Sequence, residues 1–425
     1  MSRNALFALF SLLILLGGFV RVGYVVAHNP VDDIRSDPER HWGQGIDALR
    51  ADPMSLIDPV GYQLWVGVLG KLTLKDRPLV AFYTGLLSLV TPWVWYRALR
   101  EIQPSKLAAL GGWAALAILP SWITIYGFFM QETLLLPLLG AALWATWRAR
   151  RKRDVASFVV MTLAWTFAGR TRGVVIPMAA LAVVAVGWTQ REPWKAAAAA
   201  TVVLVLILGP LTYRGYVGLG TFAPSGSGRL ASLYARSGKE ALRISYERRG
   251  EAWAYWFRSP ATGDAPFAPF SDWKTNRSGV AEVHVDLDAG ARDWNEAAAA
   301  YPLSFGRYVA LTGENVAHLF FGASWPDRVR GRTLDDLGRH LRWLWAPLAV
   351  VVATWTVASW RRLRGERLLP VLLATWVVVQ ALVPISVNEG RYRKPGEGLL
   401  IAQVVLLVGA PTARRSPPQR RDDGR

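Results

Sequence analysis

Apolar stretches of membrane-spanning length recur along most of this 425-residue chain, and they exclude an ordinary soluble fold. A helix needs roughly 20 apolar residues to cross a hydrocarbon core, and only helices and closed barrels satisfy their backbone there. Run length and flanking charge mark about ten such stretches. They lie near 5–27, 78–99, 107–125, 131–147, 155–169, 173–189, 196–213, 342–360, 368–386 and 398–411. The expectation is an all-α polytopic membrane protein of about ten transmembrane helices. The 21 tryptophans fit aromatic belts at the two interfaces.

Charge orients these helices. The net charge of +18 is concentrated in short connections: Arg97, Arg100 and Lys106; Arg148, Arg150, Arg151, Lys152 and Arg153; Arg191 and Lys195; Arg361, Arg362, Arg364 and Arg367. With the N-terminus inside, all of these fall on the cytoplasmic side, as the positive-inside rule asks. The charge therefore reads as topology, not as nucleic-acid binding. An even number of crossings puts the basic tail (412–425, with Arg414, Arg415, Arg420, Arg421 and Arg425) in the cytoplasm too, and its composition reads as disordered. Residues 5–20 also resemble a signal-peptide core, with Val25-Val26-Ala27 as a weak cleavage site, but a retained first helix keeps the charge map consistent. No cysteine is present, so there is neither a disulfide framework nor a thiolate metal site.

Four regions follow: an N-terminal membrane module (1–213) with a first outer loop (28–77), an outer-face segment (214–341), C-terminal membrane helices (342–411) and the tail. The first outer loop opens acidic, then runs Tyr62 to Leu69, an apolar stretch too short to span that reads as an interfacial helix. The outer-face segment reads as small and mixed. It has turn residues at Pro224–Gly228, an aromatic patch (Trp253, Tyr255, Trp256, Phe257), an alternating stretch Val280–Leu287 that suits a strand, and a second interfacial helix at 301–321.

Two groups of residues point to chemistry. Asp32, Asp33, Asp37 and Glu39 follow the first span directly, so they are held close to the bilayer surface. A carboxylate there can take a proton from an attacking hydroxyl; Asp37 before Pro38 also suits a helix cap. The second group is arginine on the same outer side, against the charge bias: Arg21 near the outer end of the first span, Arg170 and Arg172 in one tight turn, Arg391 and Arg393 beside Lys394 in another. A guanidinium fork matches phosphate oxygens, and ionisable groups at membrane depth mark functional sites, although lone arginines also snorkel to headgroups. Glu132 opens the fourth span, where an acid is also favoured by the helix dipole. His28, His41, His284, His318 and His340 show no ligand spacing, so no metal site is expected from histidine. Asp32, Asp33 and Asp37 offer oxygen ligands to a divalent cation, but neighbouring arginines would repel it. Asn276-Arg277-Ser278 fits the short glycosylation pattern, and no glycine-rich nucleotide loop occurs.

Several stretches, in order, resemble the GT-C class of membrane glycosyltransferases, especially bacterial members of the dolichyl-phosphate-mannose-protein mannosyltransferase-like family (family 39). Ser36-Asp37 followed by His41-Trp42 is similar to the family's first-loop "SD…YH" motif, with His41 where Tyr is expected. Asp58-Pro59-Val60-Gly61-Tyr62-Gln63-Leu64-Trp65 resembles its "PPGYPLF" stretch, with Val60 and Gln63 replacing two prolines. Leu119-Pro120 through Tyr126 to Glu132-Thr133-Leu134 resembles "YP…Y…TE", and Arg170 to Pro177 resembles "RPTGLLLP" with Thr171 for Pro. Arg391-Tyr392-Arg393-Lys394-Pro395-Gly396-Glu397 resembles its "RYR-P-E-P" ending, with Gly398 where a second proline is usual. The resemblance runs along most of the membrane part and does not cover the outer-face segment before residue 300.

The resemblance implies an inverting transfer of a sugar from a polyprenyl-phosphate donor on the outer face of a bacterial inner membrane, with Asp37 as general base and no cofactor. Asp37, Glu39 and Glu132 are the expected catalytic carboxylates. Arg391, Arg170, Arg393, Arg172 and Arg21 are expected at the donor phosphate, and Tyr62, His41, Trp42, Tyr392 and Glu397 around the substrate. Partners are the lipid donor, membrane lipids and an acceptor (glycan, lipid or protein) that the sequence does not specify. The competing readings are a transporter or flippase of lipid-linked glycan, an oligosaccharide polymerase or ligase, and a non-catalytic scaffold of the same fold. Neither inverted repeats nor broken mid-membrane helices are evident, which disfavours the transporter.

Overall fold

The computed structural model describes residues 2–34, 37–45, 53–220, 222, 225–258, 279–289, 291–322, 333–363, 365–382 and 390–409. Ser36, the Asn276–Ser278 pattern and the tail 412–425 lie outside the described residues.

The chain is mostly helical, and its helices begin where side chains can cap them. Helix α1 (Arg3–Ala27) starts at Ser2, whose hydroxyl accepts from the Ala5 amide. Helices α2 (Asp37–Gln44) and α3 (Val60–Thr73) follow α1, and α3 ends at Leu74 in the left-handed region. Asp76 caps α4 (Arg77–Ile102) and Ser105 caps α5 (Lys106–Ile118). Then follow α6 (Pro120–Thr124), α7 (Gln131–Lys152), α8 (Val155–Thr171, capped by Asp154), α9 (Ile176–Gly187) and α10 (Pro193–Leu219), which ends at Gly220 with φ 66°.

Past the membrane module come α11 (Ser227–Ser237), strands β1 (Ala241–Arg248), β2 (Glu251–Arg258) and β3 (Val280–Asp286), and α12 (Ala291–Ala299). The last helices are α13 (Phe305–Phe321), α14 (Thr333–Ala358), α15 (Leu368–Leu382) and, after a 3₁₀ turn at Gly390–Arg393, α16 (Lys394–Gly409).

Ten spans is more than length and composition carry. Among the described residues four helices are long and apolar enough to cross a membrane (α1, running on to Asp32, α4, α10 and α14), or five if α5 and the bent segment Pro120–Gly127 count as one. The reasons are local. Pro120 breaks the fifth helix, and the two pieces meet at 60°. The last turn of α7 carries Arg150, Arg151 and Lys152. Helices α9, α15 and α16 have 12, 15 and 16 residues, short of the roughly 20 a span needs.

The fold is also not purely helical. β2–β1–β3 form a three-stranded sheet, with β1 antiparallel to β2 and parallel to β3. The strand expected at Val280–Leu287 is present as β3, and the aromatic patch is β2. The hairpin partner β1 was readable from its alternation: Leu242, Ile244 and Tyr246 are buried while Arg243 and Glu247 are exposed. The two short helices expected at Tyr62–Leu69 and 301–321 correspond to α3 and α13.

Three cores form. The main one lies between the long helices and is filled by Trp95, Trp122, Trp147, Trp165 and Trp376. The second packs the sheet and α11 against Leu56, Ile57 and Leu219, so the sheet unit sits directly on the segment between α1 and α4. The third packs Tyr62, Val66 and Leu69 of α3 against Val80 and Phe129. The outer surfaces of α1 (Phe7, Leu12, Leu15, Leu16, Phe19) and α10 (Val202, Val205, Leu206) remain exposed and apolar, the surface a lipid phase would cover.

The helices define two ends. At one, Arg150 meets Glu366 and Arg151 meets Glu101, among the basic connections. At the other, α2, the start of α7, the end of α8 and the turn Gly390–Arg393 converge.

Candidate active site

The convergence is built around α2. Asp37 opens that helix, and Arg40, one turn on, donates from Nη2 to Asp37 Oδ1 at 2.9 Å. The other oxygen, Oδ2, accepts from Arg391 Nη2 at 2.6 Å, across 354 positions of sequence. The segment after α1 and the last polar turn therefore meet, carboxylate on guanidinium. Burial raises the Asp37 pKa, but the Arg40 and Arg391 charges outweigh it and hold the carboxyl well below the usual carboxylate range.

Asp58, which the sequence did not single out as chemistry, completes the cluster. Its side chain is only 6% exposed. It accepts from Arg40 through both Nε and Nη2, and from Gln131 Nε2 at 3.2 Å. Burial opposes its charge, yet Arg40 keeps its pKa low. Arg40 is thus a hub: its remaining donor, Nη1, reaches the Tyr255 hydroxyl of β2 at 3.1 Å. His41 lies 3.8 Å from Asp58 and packs edge-on against the Tyr62 ring. Burial, reinforced by Arg40 and Arg391 against the pull of Asp58 and Asp37, pushes its imidazole down to about 4, so the ring is neutral at pH 7. Trp42 stacks on Phe129, 4.6 Å between centroids.

A second carboxylate–arginine pair stands beside the first. Glu132, 1% exposed in the first turn of α7, is ion-paired with Arg172 at the end of α8. The Arg172 guanidinium lies 4.0 Å from the centre of the Tyr392 ring, and Arg391 lies 5.5 Å from the same ring. Tyr392 therefore separates two arginines. Arg170 is buried to 7% exposure yet forms no hydrogen bond or ion pair among the described residues. It is placed by a close approach: a Cβ on Gly61 would lie 2.9 Å from the Arg170 carbonyl, so α3 starts directly on the end of α8.

Four expected site residues go elsewhere. Arg21, fully buried, donates to the Leu116, Ala117, Trp122 and Ser88 carbonyls and to the Ser88 hydroxyl. The Pro120 break leaves carbonyls at the end of α5 without helical partners, and Arg21 satisfies them. Arg393 binds Glu397 at 3.0 Å and the carbonyls of Leu319, Phe320 and Gly322. Glu397 takes Ser121 Oγ on its other oxygen, at 2.6 Å. Arg393 and Glu397 thus anchor the turn that presents Arg391. Glu39 is exposed and joins none of these contacts.

Asp32 pairs with Arg77 while Asp37 pairs with Arg40 and Arg391, so the acidic stretch divides between two places. Among the described residues no group of three or more His, Asp or Glu converges as a metal site. No protein-family profile, curated protein or solved structure matches the chain.

Proposed function

We propose that the chain is an inverting membrane glycosyltransferase that takes a sugar from a polyprenyl-phosphate donor at the end of the molecule where Asp37 and Arg391 meet, on the outer face of the membrane. The observation that carries this reading is the Asp37–Arg391 contact at 2.6 Å, a base beside a cation in one partly buried place. The order and spacing of the motifs shared with the family 39 enzymes support it.

The chemistry asks for those two groups. The acceptor hydroxyl oxygen bonds the anomeric carbon as the bond from that carbon to the phosphate oxygen breaks. The electron pair stays on the lipid phosphate, which leaves as an anion and needs positive charge, not an acid. The hydroxyl proton goes to Asp37 and then to solvent. Charge balance agrees. Among the described residues Arg40, Arg172 and Arg391 pair with Asp58, Glu132 and Asp37, and Arg170 is a further buried cation at the end of α8. A phosphodiester brings one negative charge to this end. The basic end of the bundle then faces the cytoplasm.

The test is turnover by purified protein over a panel of radiolabelled polyprenyl-phosphate sugars. Wild type releases free polyprenyl phosphate, and Asp37→Asn loses this by at least a hundredfold, the usual scale for a general base. Equal turnover by the two proteins would rule out Asp37 as the base, and no turnover from any donor would remove the enzymatic reading.

A further inference from the structure

The Arg391 guanidinium carries an anion contact from within the chain. Asp37 Oδ2 sits on Arg391 Nη2 at 2.6 Å, the geometry a phosphate oxygen would adopt. Arg391 is held for such a role: its neighbour Arg393 is tied to Glu397 and to three backbone carbonyls, its other amino group reaches the Met130 sulfur, and Tyr392 fixes its distance from Arg172. Two residues before Arg172, the Arg170 side chain is buried without a partner among the described residues.

We propose that Asp37 is the resident anion of a phosphate subsite formed by Arg391 with Arg172 and Arg170, and that an isoprenoid phosphate binds by displacing the Asp37 carboxylate from Arg391. The proposal rests on reading this cluster as a phosphate site but not on sugar transfer. Displacement does not set Asp37 loose. Its other oxygen remains on Arg40, and Arg40 is held in turn by Asp58 and Tyr255. The oxygen released is the one that then faces the bound phosphate. The carboxylate thus becomes a stronger base only once the anion has arrived, because one of its two cations is now shared. Under the sugar-transfer reading, donor therefore binds before acceptor.

The test is calorimetric titration of the detergent-solubilised full chain at pH 7 with farnesyl phosphate, farnesol and inorganic phosphate. Wild type, Asp37→Asn, Asp37→Ser, Arg391→Ala and the Asp37→Asn/Arg391→Ala double variant are compared. Removing the internal competitor tightens farnesyl phosphate binding about tenfold in both Asp37 variants, the scale of one charge-assisted hydrogen bond. Farnesol shows no gain, and the gain vanishes in the Arg391→Ala background. The same gain for inorganic phosphate supports a subsite that reads phosphate alone; a gain confined to farnesyl phosphate supports one that also requires the chain.

Unchanged or weaker binding in both Asp37 variants, or a gain that survives loss of Arg391, overturns the proposal. If the binding pattern holds while no donor sugar is ever transferred, the enzymatic reading fails and the resident anion stands. If sugar is transferred but the Asp37 variants bind no tighter, the reverse holds.

Discussion

At the scale of single residues, the site is a network in which each charge has a distinct duty. Asp37 is shared by two arginines, Asp58 neutralises one of them, and His41 packs uncharged between Asp58 and Tyr62. His41 makes this network pH-sensitive in a definable window. Its folded pKa of about 4 lies below the ordinary 6.5, so the unfolded chain takes up a proton that the folded protein refuses. This contribution to stability is complete above pH 6.5, is lost as the pH falls toward 4, and amounts to about 3 kcal/mol. His41→Gln, which cannot ionise, is expected to show a flatter fall of thermal midpoint from pH 6.5 to 4 than wild type. Parallel curves for the two proteins would show that His41 is not held neutral by its surroundings. Asp37 and Asp58, both held low by arginine, add their losses only at more acidic pH.

At the scale of elements, glycine sets how closely helices approach, and this aims the site. A Cβ on Gly61 would fall within 2.9 Å of backbone atoms of Arg170, which no side-chain rotation relieves. Gly61→Ala therefore pushes α3 off the end of α8. We expect a cost of about 1–3 kcal/mol, the range for overpacking a tight core, together with weakened farnesyl phosphate binding, because Tyr62 and Arg170 move apart. An unchanged thermal midpoint and affinity would mean that the α3–α8 contact is looser than described. Gly398, where the family pattern carries proline, has a similar explanation. Its Cβ position lies 2.6 Å from Trp95 and 2.7 Å from Trp122, so two buried indoles occupy the space a side chain would need. The departure from the motif is a packing solution in this chain.

At the scale of the whole molecule, the two ends of the bundle differ in chemistry, and their orientation is open to direct measurement. Because the chain has no cysteine, single introduced cysteines report without background. Lys239 and Arg191 are both exposed, the first on the sheet unit and the second among the basic connections. Under the proposed topology Lys239→Cys is labelled in spheroplasts by a membrane-impermeant maleimide, and Arg191→Cys only after permeabilisation; the opposite pattern would invert the orientation. What the sequence determined by itself was local: where apolar runs form helices, which ends are basic, that Val280–Leu287 alternates as a strand, and that Asp37 and Arg391 were both candidate site residues. These follow from hydrophobicity, charge and short motifs, which neighbouring residues carry. What only the tertiary structure decided was non-local. Arg21 looked like a phosphate ligand because it is a charge inside an apolar run, but the Pro120 break puts orphan carbonyls beside it, and these consume its donors. Arg393 and Arg391 are indistinguishable by position, yet Leu319, Phe320, Gly322 and Glu397 claim one and Asp37 meets the other. Asp58 read as part of a loop motif, and only the approach of Arg40, Gln131 and Tyr255 makes it a buried charge in the site. A side chain's partners are set by helices far apart in the chain, and no local pattern encodes which donors and acceptors close packing will bring within 3 Å.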